Sequence, residues 1–341
     1  MSKKVLLTGI SGYIGNHCAV ELLKNGYTVR GSVRNLSKKE AVINAISKEI
    51  DPKENLEFCE LDLLKDEGWD DAMKGCEYVL HVASPFINIE PKDENVYIKP
   101  AVEGTERALK AAKKAGVKRI VITSSVVSML ENADKSIDIN SDSWTNVNAK
   151  NVSAYAKSKT LAEKSAWEYI KNQDQDKPME LVVVNPGPVF GPTLSGNLDG
   201  ASMSMFKQMI TGKMPMIPQG AINMSDVRDV AKIHVLALEN AKASGKRFIV
   251  TSENPYKFQE IAEILKSNGY NKVSTKLAPN FLLNFMSNFS REAKSMRAFI
   301  GKTYNGDVSL TMEIFNWKPI SFDKTVLETA KSIEEEMDNT K

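Results

Sequence analysis

A short apolar run, Val5-Leu6-Leu7, ends at Thr8-Gly9-Ile10-Ser11-Gly12-Tyr13-Ile14-Gly15, and a helical pattern opens at once behind it. Three glycines at three-residue spacing between a strand and a helix leave few folds open. The glycine at 9 lets the chain turn tightly after the strand. The one at 12 removes a side chain where backbone must approach a bound pyrophosphate, and the one at 15 lets helix and sheet close together. The helix start then offers free N–H groups and the positive end of its dipole. Ala19, Leu22 and Leu23 carry the helix to Gly26, a C-terminal cap. No Gly-Lys-Ser/Thr follows, which excludes a P-loop. The turn predicts a dinucleotide site formed by Thr8, Gly9, Gly12, Tyr13, Ile14 and Gly15.

The same alternation continues. Residues 28–33, 56–61, 78–82, 119–122 and 181–184 are short apolar runs, with helical patterns at about 101–115 and 154–171. The runs are rich in β-branched residues and lack alternation, as strands covered on both faces would be. They predict an α/β fold, a doubly wound parallel sheet of Rossmann type over residues 1–185. Beyond Asn185, prolines and glycines crowd 186–200 and 212–220, and methionines cluster at 203–224. This predicts a smaller, irregular substrate lobe over 186–341, interleaved with the first domain, its methionines filling the core. Ser225 or Asp226 is placed to cap a helix with Val227, Val230, Ala231, His234 and Val235 on one stripe. Helical patterns at 258–267 and 325–337 complete the chain.

The second strand decides the nucleotide. A carboxylate at its end would bind ribose hydroxyls and repel a 2′-phosphate. Val29-Arg30-Gly31-Ser32-Val33-Arg34 contains no acid, and Arg34, supported by Ser32 and Lys38, is placed to hold that phosphate. The cofactor predicted is NADP. Carbonyl reduction also needs a proton donor, and a tyrosine beside a cation can be one. Tyr155 and Lys159 share a helix face, and no other tyrosine of the chain has lysine at that spacing. Their helix follows the strand that ends in Thr123-Ser124-Ser125, at the carboxyl edge where such sheets bind ligands. Ser125, with Ser124 as the second choice, is expected to bond the substrate carbonyl.

With these residues in view, the chain resembles the extended short-chain dehydrogenases/reductases, and within them the dihydroflavonol-4-reductase-like group with its fungal and bacterial aldehyde and ketone reductases. The resemblance spans nearly the whole chain. It rests on the glycine turn, Val33-Arg34, Asp62-Leu63, His81-Val82-Ala83-Ser84-Pro85-Phe86, residues 100–105, Thr123-Ser124-Ser125, Tyr155 to Glu163, residues 185–192 and residues 226–231. It implies Tyr155 as general acid, Lys159 binding the nicotinamide ribose and lowering the tyrosine pKa, and Ser125 orienting the carbonyl. Asp62 and Leu63 would bracket the adenine, Ala83 and Ser84 line the cofactor channel, and Pro186 and Val189 flank the nicotinamide. Three departures stand out. Glu103 occupies a position where the family often has asparagine. Val126 to Leu130 lacks the asparagine that contacts substrate in plant flavonoid reductases. Ser153-Ala154 replaces the Tyr-Cys pair of cinnamoyl-CoA reductases.

Composition removes other classes. A net charge of +2, from 45 basic and 43 acidic residues, leaves no surplus for nucleic acid. Cys18, Cys59 and Cys76 cannot pair completely and show no C-x-x-C, which fits a reduced compartment. The apolar run after Lys3-Lys4 is too short for a signal peptide, and no stretch reaches membrane-span length, so a cytoplasmic protein is expected. His17, His81 and His234 lack metal-ligand spacing, so no metal is expected. The partner expected is a small carbonyl compound, for a monomer or homodimer. Two other classes stay open: a sugar-nucleotide epimerase or dehydratase, which uses the same tyrosine and lysine, and a non-enzymatic NADP-binding redox sensor.

Overall fold

The six apolar runs become strands, and a seventh joins them: β1 (Lys4–Thr8), β2 (Thr28–Val33), β3 (Leu56–Glu60), β4 (Tyr78–His81), β5 (Arg119–Thr123), β6 (Glu180–Pro186) and β7 (Arg247–Val250). They form one sheet in the order β3-β2-β1-β4-β5-β6-β7, with every neighbouring pair parallel. The order reverses at β1, and the resulting crevice at the carboxyl ends is where such sheets bind nucleotides. The structure, a computed structural model, describes residues 2–85, 91, 93–130, 136–150, 152–174, 176–198, 200–281 and 301–339. Phe86, the last residue of the His81 string, lies outside them.

Among the described residues ten α-helices surround the sheet and build the smaller lobe: α1 (Tyr13–Lys24), α2 (Lys39–Ser47), α3 (Trp69–Met73), α4 (Asn95–Lys114), α5 (Ala154–Asn172), α6 (Ala201–Ile210), α7 (Val227–Leu236), α8 (Phe258–Ser267), α9 (Ser309–Phe315) and α10 (Phe322–Asn339). Strand alternation distributes them over two faces. Val5 and Leu7 pack with residues of α1, α2 and α7, whereas Leu6 packs with residues of α3, α4 and α5. A third apolar cluster joins Phe190 to α6, α8 and α10, with Met203, Met209 and Met224 buried inside it. Those methionines are core residues.

Two local readings change, and a third narrows to one of its two residues. The fourth helix begins at Asn95 rather than near 101 and runs through Pro100. A proline inside a helix costs about 3 kcal/mol, and Tyr97, buried in the early turns, supplies the packing that holds them. The strand β7 is an addition, because Phe248-Ile249-Val250 follows a long irregular stretch. The helix cap near 225 is Asp226, whose side chain accepts from the Arg228 N–H at 2.9 Å. Asp229 accepts from Trp317 Nε1 and the Ile320 N–H, so neither carboxylate belongs to a catalytic pair.

Candidate active site

At the end of β1, Gly9 adopts a left-handed φ of +71°, and a Cβ there would lie 2.9 Å from Ala83 Cα. A Cβ on Gly15 would lie 2.1 Å from the Gly9 carbonyl oxygen. The Gly12 N–H donates to that same oxygen at 2.9 Å, which closes the turn. Gly12 provides no side-chain cap to α1, and no acid lies in the first turn. This open, positive helix start fits a pyrophosphate.

Thr8 braces the turn from beneath: its Oγ1 accepts from the Ala83 N–H at 3.1 Å and meets His81 Nδ1 at 3.0 Å. Ser32 is buried, and its Oγ accepts from the Gly9 N–H at 3.3 Å. It therefore supports the glycine turn rather than a phosphate beside Arg34. Arg34 follows β2 directly, exposed, with no hydrogen bond or ion pair among the described residues; Lys38 is exposed nearby. Tyr13 and Ile14 lie half-buried in the first turn of α1. Tyr13 donates to the Gly191 carbonyl at 2.8 Å, and His17 Nε2 bonds the Pro192 carbonyl at 2.9 Å, tying α1 to the smaller lobe.

Beyond the end of β3, the Asp62 carboxylate accepts from the Leu64 N–H at 2.9 Å. Leu63 lies so close to α4 that a Cβ on Gly104 would be 2.8 Å from it. Glu103 pairs with Arg107, which also donates to the Leu63 carbonyl. Ala83 and Ser84 line a small cavity with His81, Thr105 and Lys159. Pro186 ends β6, and Val189 pairs beside Ser225.

The hydroxyls converge at the end of β5. Ser125 Oγ accepts from the Val127 N–H at 3.3 Å, lies 3.4 Å from the Pro186 carbonyl, and is hydrogen-bonded to Tyr155. Ser153 caps α5, accepting from the Ala156 N–H at 3.1 Å, and so sets Tyr155 in the helix's first turn. Burial pushes the Tyr155 phenol up to about 12, the Ser125 hydrogen bond opposes it, and Tyr97, edge-on at 6.0 Å between ring centroids, adds to the rise. Lys159 lies one turn further along, buried, with Nζ donating to the Thr123 carbonyl at 3.1 Å. Burial pushes it down to about 8 against the opposing pull of Glu163. Its Nζ thus bonds the Thr123 carbonyl, while the Ser125 hydrogen bond opposes the rise in the Tyr155 pKa. Ser124 is engaged elsewhere, its Oγ donating to Glu163 at 2.5 Å. The sequence points neither to Tyr97, which meets the Tyr155 ring, nor to Arg247, which is ion-paired with Glu163; for Glu163 the i, i+4 spacing from Lys159 is a short-range signal.

The three histidines serve packing. His234 Nδ1 donates to the Val230 carbonyl at 2.7 Å, leaving Nε2 to accept from Thr123 Oγ1 at 2.7 Å. Burial, the leading cause in each, lowers His17 and His234 to about 4 and His81 to about 3. Their folded pKa values lie below the unfolded value, so the unfolded chain binds more protons from pH 6.5 down to about 4. Stability should therefore fall with acidity across that window, by about 1.4 kcal/mol per pH unit for each histidine. Thermal melts from pH 7 to 4.5 check this. Replacing His234 by glutamine should flatten the slope, and an unchanged slope would contradict it. Among the described residues, no group of three His, Cys, Asp or Glu could hold a metal ion, and no helix is long and apolar enough to cross a membrane.

A glycine turn at the sheet crossover, with serine, tyrosine and lysine gathered at the next carboxyl edge, defines a nucleotide-dependent enzyme of the extended short-chain dehydrogenase/reductase class. The chain belongs to the NAD dependent epimerase/dehydratase family, whose model matches residues 5–251. It is 34% identical to cinnamoyl-CoA reductase CAD2 of Medicago truncatula, over 77% of this chain and 79% of that protein. It is 33% identical to the NADPH-dependent methylglyoxal reductase GRE2 of Saccharomyces cerevisiae, over 77% of this chain and 82% of that one. In three dimensions it resembles Gre2 of Candida albicans, solved in complex with NADPH, with a TM-score of 0.80 and 26% identity over 98% of this chain and 99% of that chain.

Proposed function

We propose that the protein is an NADPH-dependent reductase that converts an aldehyde or ketone to the alcohol. The observation that carries this reading is the convergence of the Ser125 and Tyr155 hydroxyls, with Lys159 one turn away, beside a glycine turn fitted to a pyrophosphate. Gly9, Gly12 and Gly15 would hold the pyrophosphate with Thr8, Tyr13 and Ile14 around them, Arg34 the 2′-phosphate, and Asp62 and Leu63 the adenine. Ala83, Ser84, Pro186, Val189 and Lys159 would face the nicotinamide riboside. When bound, NADPH supplies the hydride. Ser125 donates a hydrogen bond to the substrate carbonyl, and Tyr155 delivers its phenolic proton to the oxygen as negative charge develops there. Lys159, charged below pH of about 8, then stabilises the tyrosinate.

The substrate class favoured is a small carbonyl compound, as the name of the GRE2 relative suggests. Ser153-Ala154 in place of the Tyr-Cys pair argues against a cinnamoyl thioester. Arg34, a cation where a tightly held NAD would prefer an acid, argues against epimerase chemistry. We read the enzyme as cytoplasmic, a monomer or homodimer.

Oxidation of NADPH and NADH with a panel of aldehydes, diketones and aryl ketones tests the reading. NADPH should be strongly preferred, and Arg34→Ala should cut that preference roughly 10- to 150-fold, the worth of about 1.5–3 kcal/mol of charge-assisted bonding. Equal use of NADH by the unaltered protein would refute the role of Arg34. No turnover with any carbonyl would favour the epimerase or dehydratase alternative, or the redox sensor.

A further inference from the structure

Behind the catalytic hydroxyls lies an ion pair that the reduction chemistry does not touch. Glu163, one turn beyond Lys159 on α5, is 1% exposed, and Arg247, the first residue of β7, is 7% exposed. Arg247 Nε donates to Glu163 Oε1 at 2.5 Å. Oε2 of Glu163 accepts from Ser124 Oγ at 2.5 Å and Asn185 Nδ2 at 3.0 Å, and lies 2.8 Å from Ser128 Oγ. The Ser128 hydroxyl also lies 2.7 Å from the Ser125 carbonyl, so the two oxygens are alternative acceptors for its one proton. On the other side, Arg247 Nη1 donates to the carbonyls of Ser141 and Ser143 at 2.9 and 2.6 Å, and its guanidinium stacks 3.8 Å over Trp144. Thr145 closes that segment onto the serine turn through the Ser128 and Val127 carbonyls.

Two well-packed apolar side chains would hold these elements together at least as firmly, because desolvating a buried ion pair costs about what its attraction returns. What apolar residues cannot do is direct hydrogen bonds at the turn that carries Ser125. We propose that Glu163 and Arg247 are positioning residues for catalysis, fixing the turn from Ser124 to Ser128 against α5 so that the Ser125 and Tyr155 hydroxyls meet. The inference rests on the reading of those hydroxyls as catalytic. Glu163 has a second effect, since its carboxylate works against burial to keep Lys159 protonated. The titratable groups set around Lys159 are Tyr155 and Glu163 on its own helix, His81 from β4 and His234 from α7, while Arg247 from β7 balances Glu163.

The test is Glu163→Gln in the full-length protein, assayed with NADPH and the best carbonyl of the panel. We expect kcat to fall about 10²-fold, the cost of a small misplacement of reacting groups, with NADPH affinity retained. The alkaline limb of kcat/KM, set by Lys159 near pH 8, should move to lower pH, and Glu163→Asp should restore it. An unaltered kcat and limb would overturn the inference, as would losses in melting temperature and NADPH affinity with the limb unmoved. Should Glu163→Gln not fold, Ser128→Ala decides, with a fall in kcat supporting the inference and an unchanged kcat overturning it. Turnover surviving in Tyr155→Phe would instead overturn the catalytic reading beneath, whatever the Glu163 variants do.

Discussion

Replacing Tyr155 with phenylalanine is expected to lower kcat by about 10³-fold, the middle of the range for a lost general acid, while NADPH still binds. The ring contact with Tyr97 is kept in this variant, so the fold should be unaffected and only the proton is removed. With its pKa pushed up to about 12, the tyrosine stays protonated throughout the neutral range and enters each cycle charged with the proton it must give. The serine hydrogen bond supplies the opposing influence that readies it for release. Saturating NADPH-oxidation assays and a fluorescence titration of NADPH separate chemistry from binding. Undiminished turnover would remove Tyr155 from the mechanism.

The second large effect concerns the glycine turn, where two alanine substitutions should fail in different ways. A Cβ on Gly15 meets backbone atoms of Gly9 and Ile10 at 2.1–3.0 Å, so the turn itself must shift. Overpacking of this kind costs about 1–3 kcal/mol, and the melting temperature should fall. A Cβ on Gly12 meets one atom within 4 Å, the Gly9 carbonyl oxygen at 3.2 Å, and otherwise open space. Gly12→Ala should therefore melt like the unaltered protein and yet lose NADPH affinity, roughly 5- to 150-fold for the same 1–3 kcal/mol of steric conflict. Equal melting and equal binding in both variants would show that the turn does not carry the pyrophosphate.

Much of the architecture was legible because it depends on short-range pattern. The glycine spacing, the β-branched runs and the Tyr155–Lys159 spacing are all properties of neighbouring residues, and the strands from β1 to β6 follow from them. What escaped depends on distance along the chain. Phe248-Ile249-Val250 reads as one more apolar fragment until β6 presents a free edge for it to pair with. Ser32 looked like part of a phosphate site because it stands two residues before Arg34, and only the fold turns it toward the Gly9 N–H. The Glu163–Arg247 pair joins residues 84 positions apart, and no local pattern links them. The bond from Lys159 Nζ to the Thr123 carbonyl likewise joins residues 36 positions apart.

The late position of β7 in the chain has a consequence for how the protein is made. When synthesis reaches Pro186, β6 has its partner on one side only, and its other row of N–H and C=O groups remains open until Arg247–Val250 is added. At about 5–20 residues per second, that edge stays unpaired for roughly 3–12 seconds on each ribosome. An open strand of Leu181-Val182-Val183-Val184 is the kind of segment that pairs with its own copies. Chain fragments ending between Pro186 and Arg247 would keep that edge open, and their solubility is expected to fall for that reason.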